Sequence, residues 1–248
     1  MLTMNSGVYT AYSGMKAQLD ALEILANNLA NLNTTAFKEE EAFFTYLNQS
    51  LDAFQGSDDF SATVNRSVLA QGALNGAEGS LTSTNRELDI AIAGNGFLVV
   101  ETPRGVRYTR NGSLHLNAQS VLTTSDGYPV LGANSRAITL GPGKIQIGED
   151  GVISLDDTQV NRLKLVAFDD LSKLSREGSS LFMSPSNQDA EKISNAAIKS
   201  GYLEQSNVNA VSSIVRMVNI LRQFEAIQKT INLEMNDMNT KAIDKLGR

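Results

Sequence analysis

Large apolar side chains recur near the start of the chain at Val8, Tyr12, Met15, Leu19, Leu22, Ala26 and Leu29, with gaps that alternate between four and three residues. That spacing keeps them on one side of a helix. Near the other end Ile214, Met217, Leu221, Phe224, Gln228, Ile231, Met235, Met238 and Ala242 repeat in the same way, with Gln228 as the polar interruption. Asn33-Thr34-Thr35 supplies a stop for the first series, and Ser206 or Asn209 an N-cap for the second. The pattern predicts a terminal helical domain made of residues 1–35 and 205–248. A single seam cannot offset the cost of ordering its own helix, so neither should stand alone. Each must pair with the other, with the middle or with neighbouring copies, and in the assembled state the two seams are expected to face each other as an antiparallel coiled coil.

Between the helices the pattern changes to short apolar or alternating runs: Leu88, Ile90 and Ile92; Phe97 to Val100; Leu114 and Leu116; Ile145 and Ile147; Val152 and Ile153; Leu163 to Phe168. Asn75-Gly76, Asn95-Gly96, Asn111-Gly112, Asp126-Gly127 and Asp150-Gly151 punctuate them as hairpin-turn dipeptides. A central antiparallel β-rich domain over 81–204 follows. Residues 36–80 read as a connector. Within it Phe37, Phe43, Phe44, Tyr46, Leu47 and Leu51 could form one more helix, and Gly56 to Asp59 an extended stretch. The fold class expected is α+β, with an α-helical coiled-coil domain from the two termini and the β domain between.

The 248 residues carry 42% hydrophobic side chains, enough for a core of ordinary size. Net charge is −6, and the acidity belongs to the middle, since residues 205–248 hold six basic and four acidic groups. That balance argues against nucleic acid as a partner. No cysteine is present and His115 is the lone histidine, so thiolate and multi-histidine metal sites are excluded. No run of apolar residues is long enough for a membrane span or the core of a cleaved signal, so direct membrane insertion is not expected. Fragments that suggest catalysis fail in context. Gly94-Asn95-Gly96 lacks the third glycine and the helix start of a dinucleotide loop, and Gly143-Lys144 lacks the rest of a phosphate loop. His115 alternates with Leu114 and Leu116 and reads as solvated. Asp156-Asp157 and Asp169-Asp170 read as turns rather than a glycosidase pair. No catalytic residue, metal site or cofactor is expected.

Four segments carry a family resemblance. LEILANNLANLNTTAFK (22–38) resembles the N-terminal signature of flagellar rod and hook proteins, with Asn27 where a small residue is usual and Ala36 where glycine is usual. EGSLTSTNRELDIAIAGNGFLVV (78–100), YTRNGSLHLNAQSVLTTSDGYPVLG (108–132) and GYLEQSNVNAV (201–211) are similar to later blocks of the same family, in the same order. The resemblance implies a structural subunit that polymerises through its terminal helices into part of a drive shaft around an export channel. It implies the proximal-rod type, with the distal-rod type as the alternative. It also implies other rod subunits, copies of itself and the flagellar type III export apparatus as partners, and the rod in the periplasmic space as location, reached without a cleavable signal. Expected interface residues are the two seams, and, from the family motifs, Asn27, Asn28, Asn31, Phe37, Ser206, Asn207 and Asn209. Competing readings are an enzyme acting on cell-wall glycan, suggested only by the acidic middle, and an adaptor that does not polymerise.

Overall fold

The structure, a computed structural model, describes residues 2–49, 65–184, 191–192 and 196–246. Helix α1 (Leu2–Ala30) opens the chain and α2 (Ala210–Leu246) closes it, with strands between, so the class is α+β. Two compact units are present: Met1–Leu29 with Glu40–Ala73 and Ala210–Arg248, and Ala30–Glu39 with Leu74–Asn209.

In the first unit, β1 (Glu40–Gln49) pairs with β2 (Asn65–Leu74) as a two-stranded ribbon. The aromatic run that could read as a helix is therefore strand from Glu40 onward. Phe43, Phe44 and Thr45 favour the pleated surface. Successive side chains point to opposite faces, and Phe43 and Phe44 are both exposed, so each face of the ribbon shows an aromatic ring. Leu51 and Gly56 to Asp59 lie outside the described residues.

The second unit is built on a six-stranded antiparallel sheet. Its spatial order is Ser175–Glu177, Leu181–Met183, Gly105–Thr109, Phe97–Thr102, Leu165–Ala167 and Glu191–Lys192. Phe97 to Val100 are all buried. Alternation sends Leu98 and Val100 into one core with Ile90, Ile92, Leu114, Leu122 and Ile153, and Phe97 and Val99 into another with Tyr108, Phe168 and Phe182. Because both faces are covered, the run needs no polar positions. Phe97 meets Phe168 and Phe182 edge-on at 5.5 and 5.6 Å between ring centres. Smaller antiparallel sheets complete the unit. Val152–Leu155 lies between Ile145–Ile147 and Thr158–Arg162, while Ile90–Ala93 pairs with Ala197–Ser200, Leu81–Ser83 with Tyr202–Glu204, and Leu114–Leu116 with Leu122–Thr124. His115 is exposed, as its alternation implied.

The turn dipeptides divide by what their glycine does. Gly127 and Gly151 take φ of 84° and 79°, the left-handed conformation of a turn, whereas beside Asn95 that role falls to Gly94 at 95°. Asp156 and Asp157 form a two-residue turn with φ of 49° and 64°, closing Leu155 onto Thr158. Asn111-Gly112 serves a different purpose. A Cβ on Gly112 would lie 1.8 Å from the Ile90 carbonyl oxygen, so the residue is glycine to let two backbones approach.

The expected coiled-coil pair of terminal helices is corrected by the structure. Tyr12 and Leu19 in α1 are 64% and 50% exposed, and Leu221 in α2 is 43% exposed, so the seams do not close on each other. The physical reason is that α1 buries a different face. Ala17, Ala21, Leu25 and Asn28 are buried, and at about 3.6 residues per turn they lie nearly opposite Tyr12 and Leu19. Two alanines, a leucine and an asparagine went inward, while Tyr12 and Leu19 of the seam stayed out. A long amide hydrogen bond of 3.4 Å from Gln18 to Gln223 links the helices where polar groups, not seam residues, meet.

Replacing Gly112 by Ala should lower the stability of the β body by at least about 1–3 kcal/mol, the usual range for overpacking against atoms that cannot move aside. Thermal unfolding followed by circular dichroism measures it, and an unchanged midpoint would contradict the backbone contact.

Candidate functional site

Two features could act on other molecules: the open helix faces, and the polar network at the residues that join the helices to the β body. In α1, Tyr12 and Leu19 are exposed and Met15, Leu22 and Leu29 half-buried. In α2, Ile214, Leu221 and Met235 are exposed, while Met217, Phe224 and Ile231 are half-buried on the same side as the fully buried Ser213. The side chains of Val8 and Met238 lie outside the described set. The seam was not the whole of the apolar surface on α2. Val211 and Leu233 are 72% and 71% exposed, and Val215 and Val218 are exposed as well. Positions 211, 215 and 218 form a second stripe, legible as a four-three spacing but hidden by the longer series beside it. With 37 residues, α2 is about 55 Å long at 1.5 Å per residue. A helix apolar on more than one side asks for more than one neighbour.

The chain leaves α1 through Asn31 and Thr34, whose hydroxyl donates to the Asn31 side-chain oxygen at 3.1 Å. Asn27 is exposed and Asn31 half-buried, but Asn28 is fully buried. Its carboxamide pairs with the backbone of Glu40, accepting from the N–H at 3.0 Å and donating to the carbonyl at 2.8 Å. One side chain thus stands in for a paired strand at the first residue of β1. Ala36 turns the chain with a left-handed φ of 55°, without the usual glycine. Phe37 is buried beneath the Arg176 guanidinium, 4.1 Å from the ring centre.

Lys38 reaches a buried carboxylate 166 residues away. Its Nζ donates to Glu204 Oε1 at 2.6 Å and to the Ala77 carbonyl at 2.7 Å. Arg110 Nε donates to Glu204 Oε2 at 2.8 Å, and its terminal nitrogens donate to the carbonyls of Ile92, Gly94 and Gly96. The Gly79 N–H completes the shell of Glu204 Oε1 at 2.9 Å. Half-buried Asn207 accepts from the Glu39 N–H at 2.6 Å and donates to the carbonyls of Asn75 and Ala77. Ser206 accepts from the Val208 N–H, and exposed Asn209 immediately precedes α2. Sequence reasoning singled out Asn207 but missed Glu204 as the partner of Lys38 and Arg110 as the second cation on that carboxylate. Only their presence inside family blocks hinted at them.

Burial would raise the Glu204 pKa, but Arg110, Lys38 and the Gly79 N–H together outweigh it and hold the carboxyl below its ordinary value of 4.5. Burial lowers the Lys38 pKa below 10.5; Glu204 opposes that shift and Arg110 adds to it. Two cations sharing one anion hold Glu204 down, whereas for Lys38 burial dominates and the second cation adds to it. Among the described residues no group of three or more His, Asp or Glu side chains is placed to hold a metal, and no helix is long and apolar enough to cross a membrane.

Long open helix faces on a strand-rich body define a structural, assembly-forming class of protein. Three family models match the chain: "Flagella basal body rod protein" over 8–38, "Flagellar hook protein FlgE/F/G D1 domain" over 91–155 and "Flagellar basal body rod FlgEFG protein C-terminal" over 199–244. The chain is 33% identical to the flagellar basal-body rod protein FlgF of Caulobacter vibrioides, with 99% of each chain covered. It is 32% identical to FlgF of Rhizobium meliloti over 98% of this chain and 99% of that one, and 30% identical to FlgG of Bacillus subtilis over 92% and 94%. The chain belongs to the flagellar basal-body rod protein family, as a structural subunit of the FlgF type.

Two outcomes follow from the network. Asn28→Asp places a buried carboxylate against the Glu40 carbonyl and should cost about 3–5 kcal/mol, against about 1–3 kcal/mol for Asn28→Ala. Denaturant titration of the two variants gives the comparison, and equal losses would remove the donor role assigned to the amide. The second outcome concerns acid. Because the folded pKa of Glu204 is lowered, the unfolded state binds the proton more readily. Its stabilisation is complete above the unfolded value, about 4.3, and is lost as pH falls through the lower folded value. Wild type should therefore lose more stability than Glu204→Gln between about pH 6 and pH 3, as read from melts across that range.

Proposed function

We propose that this chain forms part of the proximal rod of the flagellar basal body, joining other rod subunits and copies of itself through the apolar faces of its terminal helices. Its exposed stripes on α1 and α2 are the observation that carries this reading. Tyr12, Leu19, Ile214 and Leu221 lie on one set of faces, and Val211, Val215 and Val218 on another. A subunit that meets several neighbours requires surfaces of this kind, and an apolar area of that extent on a solitary protein would be a liability. The same reading makes the chain a substrate of the flagellar type III export apparatus, placed in the periplasmic part of the basal body without a cleavable signal. It assigns the chain no catalysis. The 33% identity and 99% coverage with FlgF of Caulobacter vibrioides, against 30% identity over 92% and 94% with FlgG of Bacillus subtilis, support the proximal over the distal, FlgG-type, position.

Leu221→Asp tests it. The side chain is already 43% exposed, so the monomer should keep its stability within about 0.5 kcal/mol, as surface substitutions do. In a strain whose own copy is replaced, swimming should be lost and the tagged variant absent from isolated basal bodies. Normal motility with the variant in the rod would overturn the proposal.

A further inference from the structure

We infer that Glu204 is a positioning residue that sets the register between the chain leaving α1 and the chain entering α2. The inference rests on the reading of the protein as a rod subunit and names the group that prepares it for assembly. Three separated stretches converge on this one carboxylate: Lys38 from 36–39, Gly79 from the stretch before Leu81–Ser83, and Arg110 from the β body. The side chains of Lys38, Arg110 and Glu204 are no more than 5% exposed. Both carboxylate oxygens have partners. Burying three charges is an expensive way to fill space, since apolar side chains of similar volume are often as stabilising or more so. Direction is what the charges add. Strand Tyr202–Glu204 pairs with Leu81–Ser83, with Tyr202 exposed at one end and Glu204 buried at the other. A slip of one residue would present Leu203 or Gln205 to two buried cations and turn the carboxylate to the other face of the strand.

Independent observations point to the same fixed register. A Cβ on Gly79 would stand 1.9 Å from the Gln205 carbonyl oxygen, so the two backbones fit only in this alignment and only with glycine. The Ala36 N–H donates to the Glu204 carbonyl at 2.8 Å and the Asn207 N–H to the Phe37 carbonyl at 3.3 Å, which bonds the exit of one helix to the entry of the other on both sides of the cluster. Asn207 then ties Glu39 to Asn75 and Ala77.

The test separates register from stability by replacing all three charges together, Lys38→Met, Arg110→Met and Glu204→Met. The triple variant should melt no lower than wild type, yet amide exchange at 36–39 and 204–207 should rise at least about tenfold relative to strand Phe97–Thr102, and the variant should fail to restore swimming. Wild-type exchange at those residues with normal swimming would overturn the inference and leave the cluster a filler of space. Should the triple variant not fold, Glu204→Asp decides, because it keeps the charge and withdraws it by one methylene. Faster exchange at 36–39 and 204–207 with impaired swimming supports the positioning role, and neither change overturns it. The rod reading is judged separately, since absence of the wild-type copy from basal bodies would sink it whatever these variants do.

Discussion

A buried carboxylate between two cations is the constraint on which the β body's edge depends. Glu204 cannot leave its place without stranding Lys38 and Arg110, and an uncompensated buried charge is among the costliest defects a fold can carry. Arg110 in turn gathers the carbonyls of Ile92, Gly94 and Gly96, so the turn ahead of strand Phe97–Thr102 is shaped by the same group. That strand feeds both hydrophobic cores. Electrostatics at one corner and packing across the sheet are therefore two ends of one chain of contacts, with the Gly94-Asn95-Gly96 turn as the link.

Much of this was legible before the structure, and the failures have identifiable causes. Periodicity located both helices, but it reports only that large apolar residues share a face and not what covers the face. In α1 the covered face is Ala17, Ala21, Leu25 and Asn28, a four-four-three series with one large apolar residue that the longer seam outweighs, and so the coiled coil inferred from that seam was wrong. Asn111-Gly112 has the composition of a hairpin turn, yet its glycine answers to the Ile90 carbonyl, a contact between positions that sequence alone does not bring together. Strand β1 was ambiguous for a different reason. Phe43, Phe44, Tyr46 and Leu47 suit a helix face or a ribbon equally, and only pairing with β2 decides.

The network at the helix roots illustrates the limit most clearly. Asn28, Phe37, Lys38 and Asn207 could be picked from the family blocks, but their roles could not. Asn28 was expected at a contact with another chain, and the role visible within this chain is the pairing of its amide with the Glu40 backbone. Lys38 and Glu204 are separated by most of the sequence, and neither spacing nor local pattern ties a lysine after one helix to a glutamate before another. Such pairs become visible only when topology brings Leu81–Ser83 beside Tyr202–Glu204.

These two levels of organisation answer different needs. The β body gathers most of its large apolar side chains into two cores and pairs the buried Lys38, Arg110 and Glu204 at its corner. The helices do the opposite, keeping Val211, Leu221 and Leu233 in solvent. A chain that must remain separate until it meets its neighbours has to offset that apolar exposure, and a net charge of −6 concentrated in the middle does so by mutual repulsion between free copies. Repulsion of this kind is screened over about 8–10 Å at physiological salt, whereas apolar contact acts only where surfaces touch. The acidic body therefore opposes random association of free copies through the exposed apolar helix faces.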